Sequence, residues 1–330
     1  MSFNQNLQNM STSIDEAIIF HQKHSQDFDE QATFLNKWNQ DYTQISAGNF
    51  EGFVSEVHFD ELSLYWEYTS QSLYQQGHLD DETIAIGVPL SSLDNGLFCG
   101  AACGHNAIHV YSGKQGFEFI SPQHLMMGLI VMNRNKLFRL LSADDQYFLN
   151  LQCKQAHIAR IPYSAYINLV QFLKSTFQTL KTQPVLASNR LFIDEITANA
   201  TQLVCESLLN KEQTPLDSVR HKSWEVLAVT REMISKRQDN PISVAELCES
   251  LDMSRRSLQY HFEQALHTSP VAFLRAERLN AARHMLKTAN SVTEAATHWG
   301  FWHFGHFSQE YKKMFGELPS ETFRRLHRLN

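Results

Sequence analysis

Histidine and cysteine side chains bunch at two places in this sequence, and metal coordination is the chemistry such bunching could serve. In WGFWHFGHFSQEYKKMFG, residues 299–316, His303 and His306 stand three apart, near enough on one helix face to share an ion. In CGAACGH, Cys99, Cys103 and His105, with His109 four residues on, could be drawn as a ligand set. A structural zinc ion normally takes four such ligands, and no cysteine accompanies the first pair. If the second run is an extended strand, residues four apart face the same way but lie about 13 Å apart, too far to share one ion. A turn at Gly100 or Gly104 would rescue the site, and small residues filling a barrel interior are the competing reading. Catalysis finds no support. There is no phosphate-cradling glycine-rich loop, no Asp-x-His-x-x-Gly signature and no nucleophile-and-base arrangement. The expectation is a protein that is not an enzyme and carries no cofactor.

A third group, in LYWEYTSQSLY, suits a small organic ligand or cation. On an alternating strand Tyr65 and Glu67 share one face while Leu64, Trp66 and Tyr68 share the other, so Tyr65, Trp66, Glu67 and Tyr68 are the candidate ligand-binding residues, with core packing as the alternative. The elements around them follow from hydrophobic period. From Phe50 the runs FEGFVSEVHF, ELSLYWEYTS, TIAIGVPL, AIHVYS, GFEFIS and LMMGLIVM alternate in twos, separated by turn pieces such as SLDNG, which predicts a β-rich domain over 49–145, a barrel or sandwich. Residues 1–48, rich in Gln, Asn and His, read as a flexible or helical leading segment. After about residue 146 the period becomes helical: PYSAYINLVQFLKSTFQTL places Tyr166, Leu169, Val170, Leu173, Phe177 and Leu180 on one stripe, to cover a sheet or to form a dimer interface, and the region 146–215 ends in a linker at Pro215.

Length and charge set the wider frame. At 330 residues and 43% hydrophobic, the chain can bury a core in two domains. It has no apolar run of membrane-spanning length and its start lacks an export pattern, so a soluble cytoplasmic protein is expected. Five scattered cysteines favour reduced thiols. The formal charge of −7 argues against nucleic acid until it is divided: residues 218–330 hold 16 Lys/Arg against 12 Asp/Glu, a net +4, while the first 217 residues sum to −11. An acidic body with a basic tail fits an attached nucleic-acid module.

That tail contains a duplication. SVAELCESLDMSRRSLQYHFEQAL begins at Ser243 and SVTEAATHWGFWHFGHFSQEYKKMF at Ser291; Met253 pairs with Phe301, Leu258 with Phe307, Phe262 with Tyr311, Leu266 with Phe315 and Pro270 with Pro319. The numbering offset grows from 48 to 49, so one copy has gained a residue at its turn. Each copy decodes as a short helix opened by a Ser cap with Glu three residues on, a turn at Asp252 or Gly300, and a second helix. Between them SPVAFLRAERLNAARHMLKTAN, with Phe273, Leu274, Leu279, Ala282 and Leu286 on one stripe, predicts a connecting helix. Two helix-turn-helix units held this way would place their second helices about 34 Å apart, one turn of B-DNA.

PISVAELCESLDMSRRSLQYHF, SPVAFLRAERLNAARHML and GFWHFGHFSQEYKKMFGELPSETFRR together resemble the double helix-turn-helix domain of the AraC/XylS transcription regulators, over roughly 218–328, with the units at about 243–266 and 291–315. GFWHFGHF and its neighbours are most similar to a subgroup that includes the ethanolamine-operon regulators. The family usually carries glycine where this chain has Asp252. The resemblance implies an α+β architecture, a β-rich (cupin-like barrel or sandwich) sensor with covering helices followed by an all-helical DNA-binding domain. It makes Ser254–Leu266 the first recognition helix, with Ser254, Arg255, Arg256, Gln259 and Tyr260 toward double-stranded DNA: Arg256 and Gln259 as base readers, Arg255 on phosphate. In the second, from His303 to Phe315, it puts His303, Phe304, His306 and Gln309 at the duplex beside Trp302, with Lys312 and Lys313 on phosphate or solvated. The partners it implies are DNA, a small-molecule effector, which for the subgroup is ethanolamine with a cobalamin, RNA polymerase if the protein activates, and a second copy in a homodimer. The rival from another class is a cupin-like metalloenzyme with His58, His105, His109 and His124 near a metal.

Overall fold

A computed structural model describes residues 21–35, 38–91, 93, 96–104, 106–111, 116–209, 222–237, 242–266 and 268–327. The first twenty residues, His105 and the linker around Pro215 lie outside them. Among the described residues, twelve strands form two antiparallel sheets. Strands β1 (His21–Ser25), β3 (Gly52–His58), β4 (Leu62–Thr69), β11 (Leu125–Asn133), β6 (Thr83–Pro89), β9 (Ala107–Tyr111) and β12 (His157–Arg160) make one, in that order. The other runs β2 (Asn39–Gln44), β5 (Leu73–His78), β10 (Phe117–Ile120), β7 (Leu97–Phe98), β8 (Ala101–Ala102). Period-two alternation sorts each central strand between two environments. On β4, Tyr65 faces a core between the sheets with Leu129, Phe98 and Phe119, while Leu64 faces a second core under the covering helices with Ile86, Ile130 and Leu173.

The leading segment departs from its helical reading. Among its described residues, 21–25 and 39–44 are strands, with the five-residue helix α1 (Phe28–Ala32) between them. The reason is pairing: β1 extends the first sheet beside β3, and β2 lies along β5, with Tyr42 opposite Gln75. Polar strands such as NQDYTQ carry too few apolar residues for their period to show. Strand β12 likewise interrupts the helical region, completing the sheet beside β9.

Helices α2 (Arg134–Phe138), α3 (Ala143–Gln152), α4 (Tyr163–Thr182) and α5 (Arg190–Leu208) cover the first sheet. On α4, Leu169, Leu173, Phe177 and Leu180 are buried against it, so this stripe is spent on the sheet. A Cβ at Gly128 would sit 2.5 Å from the Leu173 side chain, which explains a glycine where β11 meets α4.

The carboxyl-terminal domain is all helical: α6 (Lys222–Ser235), α7 (Val244–Ser250), α8 (Arg255–Leu266), α9 (Pro270–Met285), α10 (Val292–His298), α11 (Phe304–Phe315) and α12 (Pro319–His327). Its two halves have separate cores, and α9 reaches both. Phe273 and Leu274 join Leu247, Leu258, Phe262, Trp224 and Leu227; Leu279, Ala282 and Leu286 join Ala295, Ala296, Phe307, Tyr311 and Phe315. Each core also contains residues of the β-rich domain. Tyr74 and Ile120 complete the first, and Phe28, Tyr42, Phe50 and Leu73 the second, so the smaller sheet and α1 form a platform under both halves. Gln44 and Asn280 exchange hydrogen bonds across this junction at 2.9 and 3.1 Å.

Candidate nucleic-acid interface

The two halves are built to one plan. In the first, Ser243 caps α7 by accepting from the Glu246 amide at 3.3 Å while Glu246 accepts from the Ser243 amide at 2.8 Å, a complete capping box. In the second, Ser291 accepts from the Glu294 amide at 3.1 Å, but the Glu294 carboxylate turns to the Asn290 backbone instead, at 2.8 Å. Both turns use left-handed backbone: Asp252 has φ 48° and Gly300 φ 77°. Each turn is closed by one equivalent hydrogen bond of 2.9 Å, Met253 N–H to Cys248 C=O and Phe301 N–H to Ala296 C=O. The added residue of the second copy is Trp302. Ser254 alone separates Met253 from α8, whereas Trp302 and His303 separate Phe301 from α11.

Helices α8 and α11, twelve residues each, bury the repeat positions and turn the rest outward. Leu258 and Phe262 pack inward on α8, as Phe307, Tyr311 and Phe315 do on α11. Ser254, Arg255, Arg256 and Tyr260 are exposed at the head of α8; Ser254 also accepts from the Ser257 amide at 3.1 Å, so it caps the helix. Gln259 is half-buried, and its amide donates to Glu263 at 2.6 Å. Around α11, His303, Phe304, His306, Gln309, Lys312 and Lys313 are exposed. Two members of this surface carry weight that residue type alone did not reveal. Trp302 is 72% exposed, and a Cβ on Gly305 would meet nothing within 4 Å. A glycine inside a helix costs about 0.5–1 kcal/mol relative to alanine, and no neighbour in the fold requires this one.

Among the described residues the metal-site groupings do not come together; His105, a member of two of them, lies outside those residues. The His303 and His306 rings are 6.4 Å apart, and no cluster of three or more His, Cys, Asp or Glu suited to an ion occurs among the described residues. His58 meets Ser63 and Glu56, His124 meets the Tyr68 hydroxyl, and the buried His109 lies 3.4 Å from the Cys103 sulfur. Burial pushes His109 down to about 3, so its ring is neutral, and the same effect raises Cys103 to about 12, so its thiol is protonated.

The four candidate ligand residues divide between environments and form no single wall. Tyr65 and Glu67 point between the sheets. Trp66 lies edge-on to Phe177 under α4, and Tyr68 stacks between Phe53 and His124.

Two successive helix-turn-helix units fixed by a shared helix define the class: a bipartite DNA-binding domain. Comparison with known proteins finds likeness in the same region. Residues 247–325 match the family described as "Helix-turn-helix domain". The XylDLEGF operon transcriptional activator 1 of Pseudomonas putida is 40% identical over 98 residues, 28% of this chain and 30% of its own. The HTH-type transcriptional regulator GbdR of Pseudomonas aeruginosa is 30% identical over 132 residues, 38% of this chain and 36% of its own. A crystal structure of a transcriptional regulator with an AraC-type DNA-binding domain, from Chromobacterium violaceum, is 26% identical and covers 33% of this chain and 98% of its own, with a TM-score of 0.31. The match spans about a third of the length of these curated relatives. The carboxyl-terminal domain is thus similar to the helix-turn-helix part of known transcription regulators. No helix among the described residues is long and apolar enough to cross a membrane.

Proposed function

We propose that the protein is a sequence-specific transcription regulator whose helices α8 and α11 enter two successive major-groove segments of one duplex face. The observation that carries this reading is the repeated unit itself: two helices of equal length, each buried along the repeat positions and open along its leading end, joined by one helix that belongs to both cores. In this reading Arg256 contacts guanine N7 and O6, and Gln259 reaches adenine on leaving Glu263. Arg255, Lys312 and Lys313 meet phosphate. Phe304 meets a thymine methyl, and His303, His306 and Gln309 complete the second contact, with Ser254 and Tyr260 flanking the first.

The β-rich domain is the sensor. Its sheet and α1 lie under both halves of the DNA-binding domain, so an effector that favours one arrangement of that junction shifts how the two helices are presented. The resemblance of 299–316 to the ethanolamine-operon subgroup makes ethanolamine and a cobalamin the first effectors to try. Contact with RNA polymerase and homodimerisation are further elements of the proposal. Selection of binding sites from random DNA at fixed salt tests it: an enriched motif with two conserved segments is expected, and equal retention of all sequences would defeat it.

A further inference from the structure

Glu67 is a carboxylate in the interior of the β-rich domain, only 3% exposed. Its Oε1 accepts from the Tyr42 hydroxyl at 2.8 Å and from the Gln31 amide at 3.0 Å. Both donors are neutral, and among the described residues no cationic side chain pairs with it. Burial therefore raises its pKa, with those two hydrogen bonds acting the other way. A buried carboxylate in this position is stabilised most by a cation brought to it.

The surroundings point to an organic cation. The ring of Tyr42 carries the hydroxyl that meets the carboxylate, and Trp38 and Tyr111, in the core between the sheets, meet edge to face at 4.8 Å. Among the described residues, three buried polar atoms of the same interior have no hydrogen-bond partner: Trp38 Nε1, Gln31 Oε1 and Gln75 Nε2, the last on the residue opposite Tyr42. The Gln31 amide occupies space that Gly52 leaves open, since a Cβ there would collide with it at 1.8 Å.

Gln31 sits on α1, whose other end holds the DNA-binding domain. Asp27 caps α1 through Oδ1, and its Oδ2 meets the Arg283 guanidinium at 2.9 Å. Arg283 is a buried residue of α9 that also donates to Glu317 at 2.7 Å and to the Tyr311 hydroxyl at 3.2 Å. Burial alone would disfavour its charge, but Tyr311, Asp27 and Glu317 more than offset that. One short helix thus touches the buried Glu67 carboxylate at one end and a buried cation of the second helix-turn-helix unit at the other.

We propose that a small organic ammonium ion binds at Glu67 in place of the Gln31 amide, and that α1 carries the exchange to Arg283, loosening the junction between the sensor and the second helix-turn-helix unit. This rests on the reading of the β-rich domain as an effector sensor. The ammonium supplies the charge that Gln31 lacks, and displacing the Gln31 amide also breaks its hydrogen bond to the Tyr68 carbonyl at 3.0 Å, a second tie between α1 and β4. The test uses the intact protein without DNA, titrated calorimetrically with methylammonium, ethylammonium and tetramethylammonium chlorides, against isopropanol and tert-butanol at matched chloride.

At least one ammonium ion should bind saturably, at least tenfold more weakly to Glu67→Gln, and neither alcohol should bind. Gln31→Ala should bind the same ion more tightly, which keeps the test decisive if Glu67→Gln does not fold. At saturation, amide exchange should quicken in residues 28–34 and at Gly48, whose N–H donates to the Met314 carbonyl at 3.0 Å. The proposal is overturned if no ammonium ion saturates, if Glu67→Gln or Gln31→Ala binds like the parent, or if exchange at α1 is unchanged. Loss of DNA sequence preference alongside an intact ammonium response would count against the DNA-binding reading alone.

Discussion

Helices α8 and α11 share a frame and differ in what they present. Helix α8 leads with Ser254, Arg255 and Arg256, charged and hydrogen-bonding groups; α11 leads with Trp302, His303, Phe304, Gly305 and His306, mostly aromatic surface around a glycine. Buried positions correspond pair by pair, Leu258 with Phe307 and Phe262 with Tyr311, while the outward ones share almost nothing. Packing thus constrains one face of each helix and leaves the other free to diverge. On the reading proposed here, the first unit works through hydrogen bonds and charge, and the second through shape and apolar contact.

The comparison breaks first at the cores. Phe307→Ala should cost about 3–5 kcal/mol and Leu258→Ala about 2–5, because each empties a fully buried site; urea titrations should show each loss confined to its own half, and a uniform collapse would mean the halves are not separate. Next comes readout. Arg256→Ala should cost about 1–3 kcal/mol of DNA affinity and relax preference at one base pair, whereas Arg255→Ala should weaken all sequences alike and lower the salt slope by about 1. Phe304→Ala should leave the salt slope unchanged.

Gly305→Ala gives a sharper contrast, since stability and affinity should move in opposite directions. Alanine should stabilise the fold by about 0.5–1 kcal/mol because nothing in the protein obstructs its Cβ, yet weaken DNA binding if the glycine exists for close approach. A gain in both would remove Gly305 from the interface. The smallest effect concerns the turns. Asp252→Gly should stabilise the first unit by about 0.5–1 kcal/mol, since aspartate there holds a left-handed backbone that glycine adopts freely, and thermal unfolding would detect the rise.

Much of this was legible because the repeat reports the same local chemistry twice. The Ser caps, the two turns, the paired core positions and the connecting stripe each follow from residue types at fixed spacing. The inserted residue at the second turn was visible as a change of offset, although only coordinates identify it as Trp302. The β-rich domain was less legible for a physical reason. Strands β1 and β2 owe their conformation to pairing partners distant in sequence, and HQKHS or NQDYTQ carries little apolar signal of its own. Alternation along Tyr65–Tyr68 was legible, with Tyr65 and Glu67 on one face and Trp66 and Tyr68 on the other; that Phe177 covers Trp66 was not. The significance of Glu67 depends on Gln31 and Tyr42, contacts that no spacing rule reveals.

The central claim, that α8 and α11 read neighbouring groove segments at once, is tested most directly by base-interference footprinting on a selected site with the parent protein, Arg256→Ala and Phe304→Ala. Two interference patches on one duplex face, about 10 base pairs apart, are expected, with each variant erasing only its own patch. A single patch, or the same patch lost in both variants, would contradict the account.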